Sequence, residues 1–252
     1  MPYATNGGVG IHYRVEGKGP PLVLHHWTFS SLDAWYELGY VDALLGERRL
    51  ILLDSRGHGR SDAPHDATAY RPGPRVADVI AVLDAVGVSR AAFFGYSMGA
   101  WIGFACALCA PERFSAFILG GQHPYDQTME GVREWLRVGE EQGAQAFIDL
   151  WEHDVGPLRP AEQDRMRSYD FAAMRAAAQD RHSLESVLPA IGVPCLLFAG
   201  SHDEVHPLAE RSAAEIAGAR FVSFPGLDHG ETITRSDLVV PIIREFLREA
   251  GV

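Results

Sequence analysis

The pentapeptide Gly95-Tyr96-Ser97-Met98-Gly99 lies between an apolar run, Ala91-Ala92-Phe93-Phe94, and a long stretch of small and apolar residues, 100–108. A strand, a sharp turn carrying one serine, and then a helix is the local structure this pattern specifies. The glycines let strand and helix approach closely, and the turn lifts the serine hydroxyl clear of a sheet beside the positive end of the helix. Read alone, the pentapeptide is equally a glycine-rich turn with an incidental serine, and the rest of the chain must distinguish the two.

Short apolar runs recur on both sides of it. Residues 10–16 alternate and predict a half-exposed strand. Residues 21–25, 50–54, 114–119, 195–200 and 220–224 are short and apolar, as in strands buried on both faces of a parallel sheet. Helices alternate with them. Residues 30–45 contain one, and Val76, Val79, Ile80, Leu83 and Val86 fall at helical spacing between Pro72-x-Pro74 and Gly87. Residues 207–217 form another, and Leu238, Val239, Ile242, Ile243, Phe246 and Leu247 give a closing helix one apolar face. The rhythm predicts an α/β chain with a doubly wound, mostly parallel sheet, whose ligands bind outside the carboxyl ends of its strands. It breaks between residues 122 and 188, where no strand is evident. Helices are expected there around Val132, Trp135 and Leu136, around Phe147, Leu150 and Trp151, and as one long element over residues 165–181. The expected organisation is a core of residues 1–121 and 189–252 with a helical cap, 122–188, inserted over the mouth of the sheet.

The formal charge of −11 opposes binding to nucleic acid phosphates or to an anionic membrane surface. No apolar run reaches the ~18 residues of a membrane helix. The opening Met1-Pro2-Tyr3-Ala4-Thr5 lacks a basic, apolar leader, so a cytoplasmic location is expected. Three cysteines do not make a disulfide framework, and Cys106 and Cys109 fall in an apolar helix where core packing is their expected role.

A serine hydroxyl becomes a useful nucleophile only when a base takes its proton, and the base is commonly a histidine oriented by a buried carboxylate. Two late strands run into Gly200-Ser201-His202-Asp203 and Gly226-Leu227-Asp228-His229-Gly230. The order Ser97, Asp203, His229 is that of a triad built on this topology. Asp126, beyond Gln122 and His123, is the rival acid. Asp228 adjoins His229, but neighbouring side chains on extended backbone point apart. His202 and His206 lack the glutamate and unbroken helix of a zinc site, and Gly57 and Gly59 lack the following Lys-Ser/Thr of a phosphate loop. No metal or cofactor is called for. His58 is a further histidine that could approach the pocket.

With Leu24-His25, the loop Asp54-Ser55-Arg56-Gly57-His58-Gly59-Arg60-Ser61, the pentapeptide, Gly200 to Asp203 and Asp228-His229-Gly230, the chain resembles the α/β-hydrolase fold family along nearly its whole length. Its small capped esterases, enol-lactonases and cofactor-free perhydrolases look nearest. The resemblance implies Ser97 as nucleophile, His229 as base and then acid, and Asp203 as the orienting carboxylate. It implies an oxyanion hole from the backbone N–H groups of Met98 and Trp27. Many members carry His-Gly where this chain has His25-His26. The Trp27 indole or the His26 ring is therefore the alternative, as a wall of the acyl pocket. His123, Tyr125, Trp135, Phe147 and Trp151 are further candidates to line a substrate pocket, or equally to pack the cap. The expected reaction is hydrolysis of a small carboxylic ester or lactone through an acyl-enzyme. Perhydrolysis, C–C bond hydrolysis and ligand reception by a hydrolase-like receptor are the alternatives. The sequence is silent on oligomeric state.

Overall fold

In the computed structural model, which describes residues 2–252, eight strands form one sheet. Met1, the first residue of the stretch read for a leader, lies outside the described residues. The strands are β1 (Tyr3–Asn6), β2 (Val9–Glu16), β3 (Pro21–His25), β4 (Arg49–Leu53), β5 (Ala91–Tyr96), β6 (Phe114–Gly120), β7 (Cys195–Gly200) and β8 (Arg220–Phe224). Their spatial order is β1-β2-β4-β3-β5-β6-β7-β8, with β3 to β8 parallel and the first two strands antiparallel to their neighbours. The fold is the expected doubly wound, mostly parallel α/β arrangement. Strand β1 was not legible in the sequence: four mixed residues, half of them exposed, carry no pattern of their own and pair with β2 only because the Gly7-Gly8 turn folds them back.

Alternation along the central strands divides the core. In β3, Val23 packs on one face while Leu22 and Leu24 pack on the other. The first face is covered by α3 (Pro72–Ala85), α4 (Met98–Cys109) and α9 (His206–Glu215), through residues such as Val79, Ile102 and Ala213. The second is covered by the short α1 (Asp33–Glu37) and α2 (Tyr40–Leu44), by α10 (His229–Thr234) and by α11 (Ser236–Glu249). Residues 30–45 hold two helices because Gly39 takes a left-handed conformation between them, with φ 78°.

Residues 122–188 carry α5 (Glu130–Gln142), α6 (Ala144–Asp154), α7 (Pro160–Arg167) and α8 (Phe171–Ala177). A lone bridge, Gln127 to Arg181, is the extended pairing found there. The long helix expected over 165–181 is two helices. Ser168 Oγ donates back to the Arg165 carbonyl and ends α7, while Asp170 accepts from the Ala173 N–H and caps α8. These helices close over a small core of their own, with Leu136, Phe147, Ile148, Met166 and Met174 buried. The segment meets the sheet domain through Phe29, which follows β3, and through a hydrogen bond from Tyr169 Oη to the Phe29 carbonyl.

Candidate active site

The parallel register brings the carboxyl ends of the central strands to one edge: His25 lies opposite Gly95, Tyr96 opposite Gly120, and Gly200 opposite Phe224. Ser97 follows β5 at this edge and has a positive φ of 51°, rare for a residue with a Cβ. Two hydrogen bonds hold that conformation. The Ser97 N–H donates to Gly120 O at 2.8 Å, and its carbonyl accepts from the Trp101 N–H at 3.0 Å, beginning α4. A Cβ at Gly95 would collide with the Gly99 carbonyl, and one at Gly99 with the carbonyl of His25. The two glycines are therefore required by the closeness of β5, α4 and the end of β3. Met98 is the first residue of α4, so its N–H is one of the donors a helix cannot satisfy internally.

Asp203 and His229 meet at the same edge. Asp203 follows β7 and is 5% exposed. Its Oδ2 accepts from Nδ1 of His229 at 2.7 Å, and its Oδ1 accepts from the Val205 N–H at 3.1 Å. With Nδ1 so engaged, Nε2 is the ring nitrogen of His229 that Asp203 does not hold. His229 opens α10, capped by Asp228, whose carboxylate accepts from the Glu231 N–H. Asp228 is thus occupied by helix capping. Tyr96, one residue before Ser97, donates its hydroxyl to the His229 carbonyl at 2.6 Å, tying the serine turn to the histidine loop.

The loops after β3 and β4 interlock beside this site. His26 is fully buried: its Nδ1–H donates to the Trp27 carbonyl and its Nε2 accepts from the Ser55 N–H. Burial pushes the ring down to about 4, so it is neutral, as these two bonds require. Asp54 accepts from the Leu32 and Arg60 N–H groups and from His12. The Trp27 indole packs edge-on against Trp35 and Tyr96, within the core beneath the site.

A cavity of about 500 Å³ opens next to the serine turn, between the loop after β3 and the α5–α8 segment. Thr28, His58, Met98 and Trp101 line it from the sheet side, and Met174 and Leu184 from the other. Among the described residues, the aromatic candidates read from the sequence do not line it. Trp135, Phe147 and Trp151 pack within the α5–α8 core or against Phe29, and Trp135 Nε1 donates to Asp154. Tyr125 turns toward α9, with its hydroxyl on Glu215 and Arg211 over its ring. His123 is buried and its Nδ1 accepts from the Tyr125 N–H. The strongest apolar signals in this segment mark its interior. The cavity wall instead includes two residues not singled out from sequence, Arg75 and Arg181. For Arg75 a signal exists: it stands one helical turn before Val79, on the apolar face of α3.

Against known proteins, a family model described as the alpha/beta hydrolase fold matches residues 20–154. The chain belongs to the alpha/beta hydrolase fold family. Among solved structures, the enol-lactonase of Burkholderia xenovorans superposes with a TM-score of 0.85 at 28% identity, covering 98% of this chain and 100% of the other. A protein assigned as a 2-succinyl-6-hydroxy-2,4-cyclohexadiene-1-carboxylate synthase in Bacillus subtilis is 28% identical over 94% of this chain and 95% of its own length. The non-heme chloroperoxidase of Streptomyces lividans is 27% identical over 97% and 98%. These matches cover 94 to 98% of the chain and so extend well beyond residues 20–154 of the family-model match.

Proposed function

We propose that the protein is a serine hydrolase of carboxylic esters or lactones, with Ser97, His229 and Asp203 as its triad. The observation that carries this reading is the convergence at one sheet edge of a serine on strained backbone and a histidine bonded through Nδ1 to a buried aspartate. In the reaction, Nε2 of His229 takes the Ser97 proton as Oγ attacks the carbonyl carbon. The tetrahedral oxyanion accepts from the Met98 N–H and from that of Trp27, each such donor contributing ~3 kcal/mol. His229 then protonates the departing alkoxide, leaving an acyl-Ser97. Water, deprotonated by the same nitrogen, attacks the acyl carbon and releases the acid. Asp203 keeps the imidazole oriented and stabilises its charged form. Residues 122–188 act as the cap that encloses the substrate. The likeness to an enol-lactonase supports a lactone or compact ester as substrate.

The test is a panel of short and long p-nitrophenyl esters with aliphatic and aromatic lactones, assayed with wild type and Ser97→Ala. At least one class is hydrolysed, and Ser97→Ala lowers kcat by at least about 1000-fold with an unchanged melting temperature. Undiminished activity in the variant would sink the assignment. The likeness to a chloroperoxidase favours perhydrolysis as a second reading. Peroxide in place of water in the second step would give a peracid, detected with acetate, peroxide and a halogenation indicator.

A further inference from the structure

The cavity beside Met98 has an unusual charge for this molecule. Four arginines, Arg71, Arg75, Arg133 and Arg181, line it against one carboxylate, Asp180, although the chain as a whole carries −11. Asp180 is already committed: its Oδ1 pairs with Arg133 at 2.8 Å and accepts from the Met129 N–H. Arg71 is exposed at the surface.

Arg75 and Arg181 are different. They are 4% and 8% exposed, and among the described residues neither lies within ion-pair distance of a carboxylate. Arg75 donates from Nε to the Tyr70 carbonyl and from Nη2 to the Ala177 carbonyl, both neutral. Arg181 donates from Nη1 to Oε1 of Gln127 and lies over the face of Trp101. The same chain neutralises a buried arginine elsewhere: Arg56 forms a two-pronged pair with Asp78, Nε to Oδ2 at 2.6 Å and Nη2 to Oδ1 at 2.5 Å. A desolvated cation without a counter-ion costs several kcal/mol. Burial pushes Arg75 down to about 10 and Arg181 to about 9, the second also through the Arg75 charge, so both remain cationic at neutral pH. An anion in the cavity would remove that cost. Two more lining side chains each bury one polar atom that has no hydrogen-bond partner among the described residues. The buried Nε1 of Trp101 has no acceptor, and the buried Nε2 of His58, whose Nδ1–H donates to the Arg56 carbonyl, has no donor.

We infer that this cavity is an anion-recognition pocket, in which Arg75 and Arg181 bind a carboxylate carried by the substrate at a distance from its scissile ester or lactone carbonyl. A guanidinium matches a carboxylate in shape and charge, and the cavity has the size of a small-molecule site. Met98, the residue after Ser97, lines it together with both arginines, so one small molecule can place its reacting carbonyl toward the serine turn and its carboxylate at the arginine pair. The inference rests on the serine-hydrolase reading for the reaction, but the pocket can be tested apart from it.

The primary experiment compares monoethyl adipate with ethyl hexanoate on wild-type enzyme by pH-stat. The expected result is a kcat/KM at least tenfold higher for the acidic ester, with the preference shrinking as salt is raised. In Arg181→Met the ratio of the two constants collapses toward one, and Arg181→Lys recovers part of it. Equal constants in wild type, or a ratio unchanged in a folded Arg181→Met, would overturn the inference; the wild-type comparison decides alone if the variant does not fold. If neither ester is turned over, the hydrolase reading is the one in difficulty. Calorimetric titration of wild type with adipate, beside inorganic phosphate, then judges the pocket. Adipate binding that Arg181→Met weakens at least tenfold upholds it. No adipate binding, or phosphate bound as tightly as adipate, overturns the carboxylate assignment.

Discussion

At the scale of single residues, the site is held by side chains that do not take part in the proposed chemistry. The His26 ring is a structural clamp: its Nδ1–H holds the Trp27 carbonyl within the loop after β3, and its Nε2 accepts from the Ser55 N–H of the loop after β4. Those bonds require a neutral ring, and the folded value near 4 lies below the ordinary value of about 6.5. As pH falls from about 6.5 to about 4, the unfolded chain binds a proton that the folded chain refuses. The contribution of the neutral ring, complete above the upper value, is lost across that window and amounts to about 3 kcal/mol. His58, pushed by burial down to about 3, acts in the same direction. Denaturant titrations at pH 7, 5.5 and 4 should show falling stability in wild type. His26→Asn should be less stable at pH 7 and decline less steeply; a parallel decline would remove His26 from this role.

At the scale of elements, the decisive contact is that of β5, α4 and the end of β3. Both glycines of the pentapeptide face backbone carbonyls, which cannot swing aside as a flexible side chain can. Gly99→Ala must push α4 away from the His25 carbonyl. The expected result is a loss of about 1–3 kcal/mol of stability. Catalytic efficiency should fall much more steeply, because Met98, the proposed oxyanion donor, moves with the helix. Retention of wild-type kcat in a folded Gly99→Ala would show that the helix start tolerates displacement. By contrast α7 and α8 are short, separated at residues 168–170, and held by local caps.

At the scale of the whole molecule, the sheet domain and the α5–α8 segment have separate apolar cores. They are joined by the Phe29 ring, which packs on Phe147 and Trp151, and by polar ties, among them Tyr169 to Phe29, Arg165 to Glu37 at 3.2 Å, and Arg75 to the Ala177 carbonyl. A small core with partly exposed helices opens more readily than a sheet covered on both faces. Hydrogen exchange should therefore be faster in residues 130–177 than in β3, β5, β6 and β7. Occupation of the cavity by adipate should slow it in α8 and around Arg181. Uniform protection across both parts would mean that the two cores unfold as one.

Strands β2 to β8, the serine turn and the order of serine, aspartate and histidine were legible in the sequence because each is written locally. Apolar runs of strand length specify buried strands, and a glycine-flanked serine between strand and helix specifies a turn. Where residues pack against distant partners the sequence was less informative. Trp135, Phe147 and Trp151 look alike in sequence whether they line a pocket or fill a core, and only folding placed them in the interior of α5–α8. The same holds for His26, whose partner, the Ser55 N–H, is 29 residues away. Most of all it holds for Arg181: an arginine in a polar stretch reads as a solvated side chain. Its burial over Trp101, beside Arg75 and without a carboxylate, depends on segments far apart in the chain meeting around one cavity. Local pattern thus determined where the serine turn lies, and tertiary packing decided the charge of the space beside it.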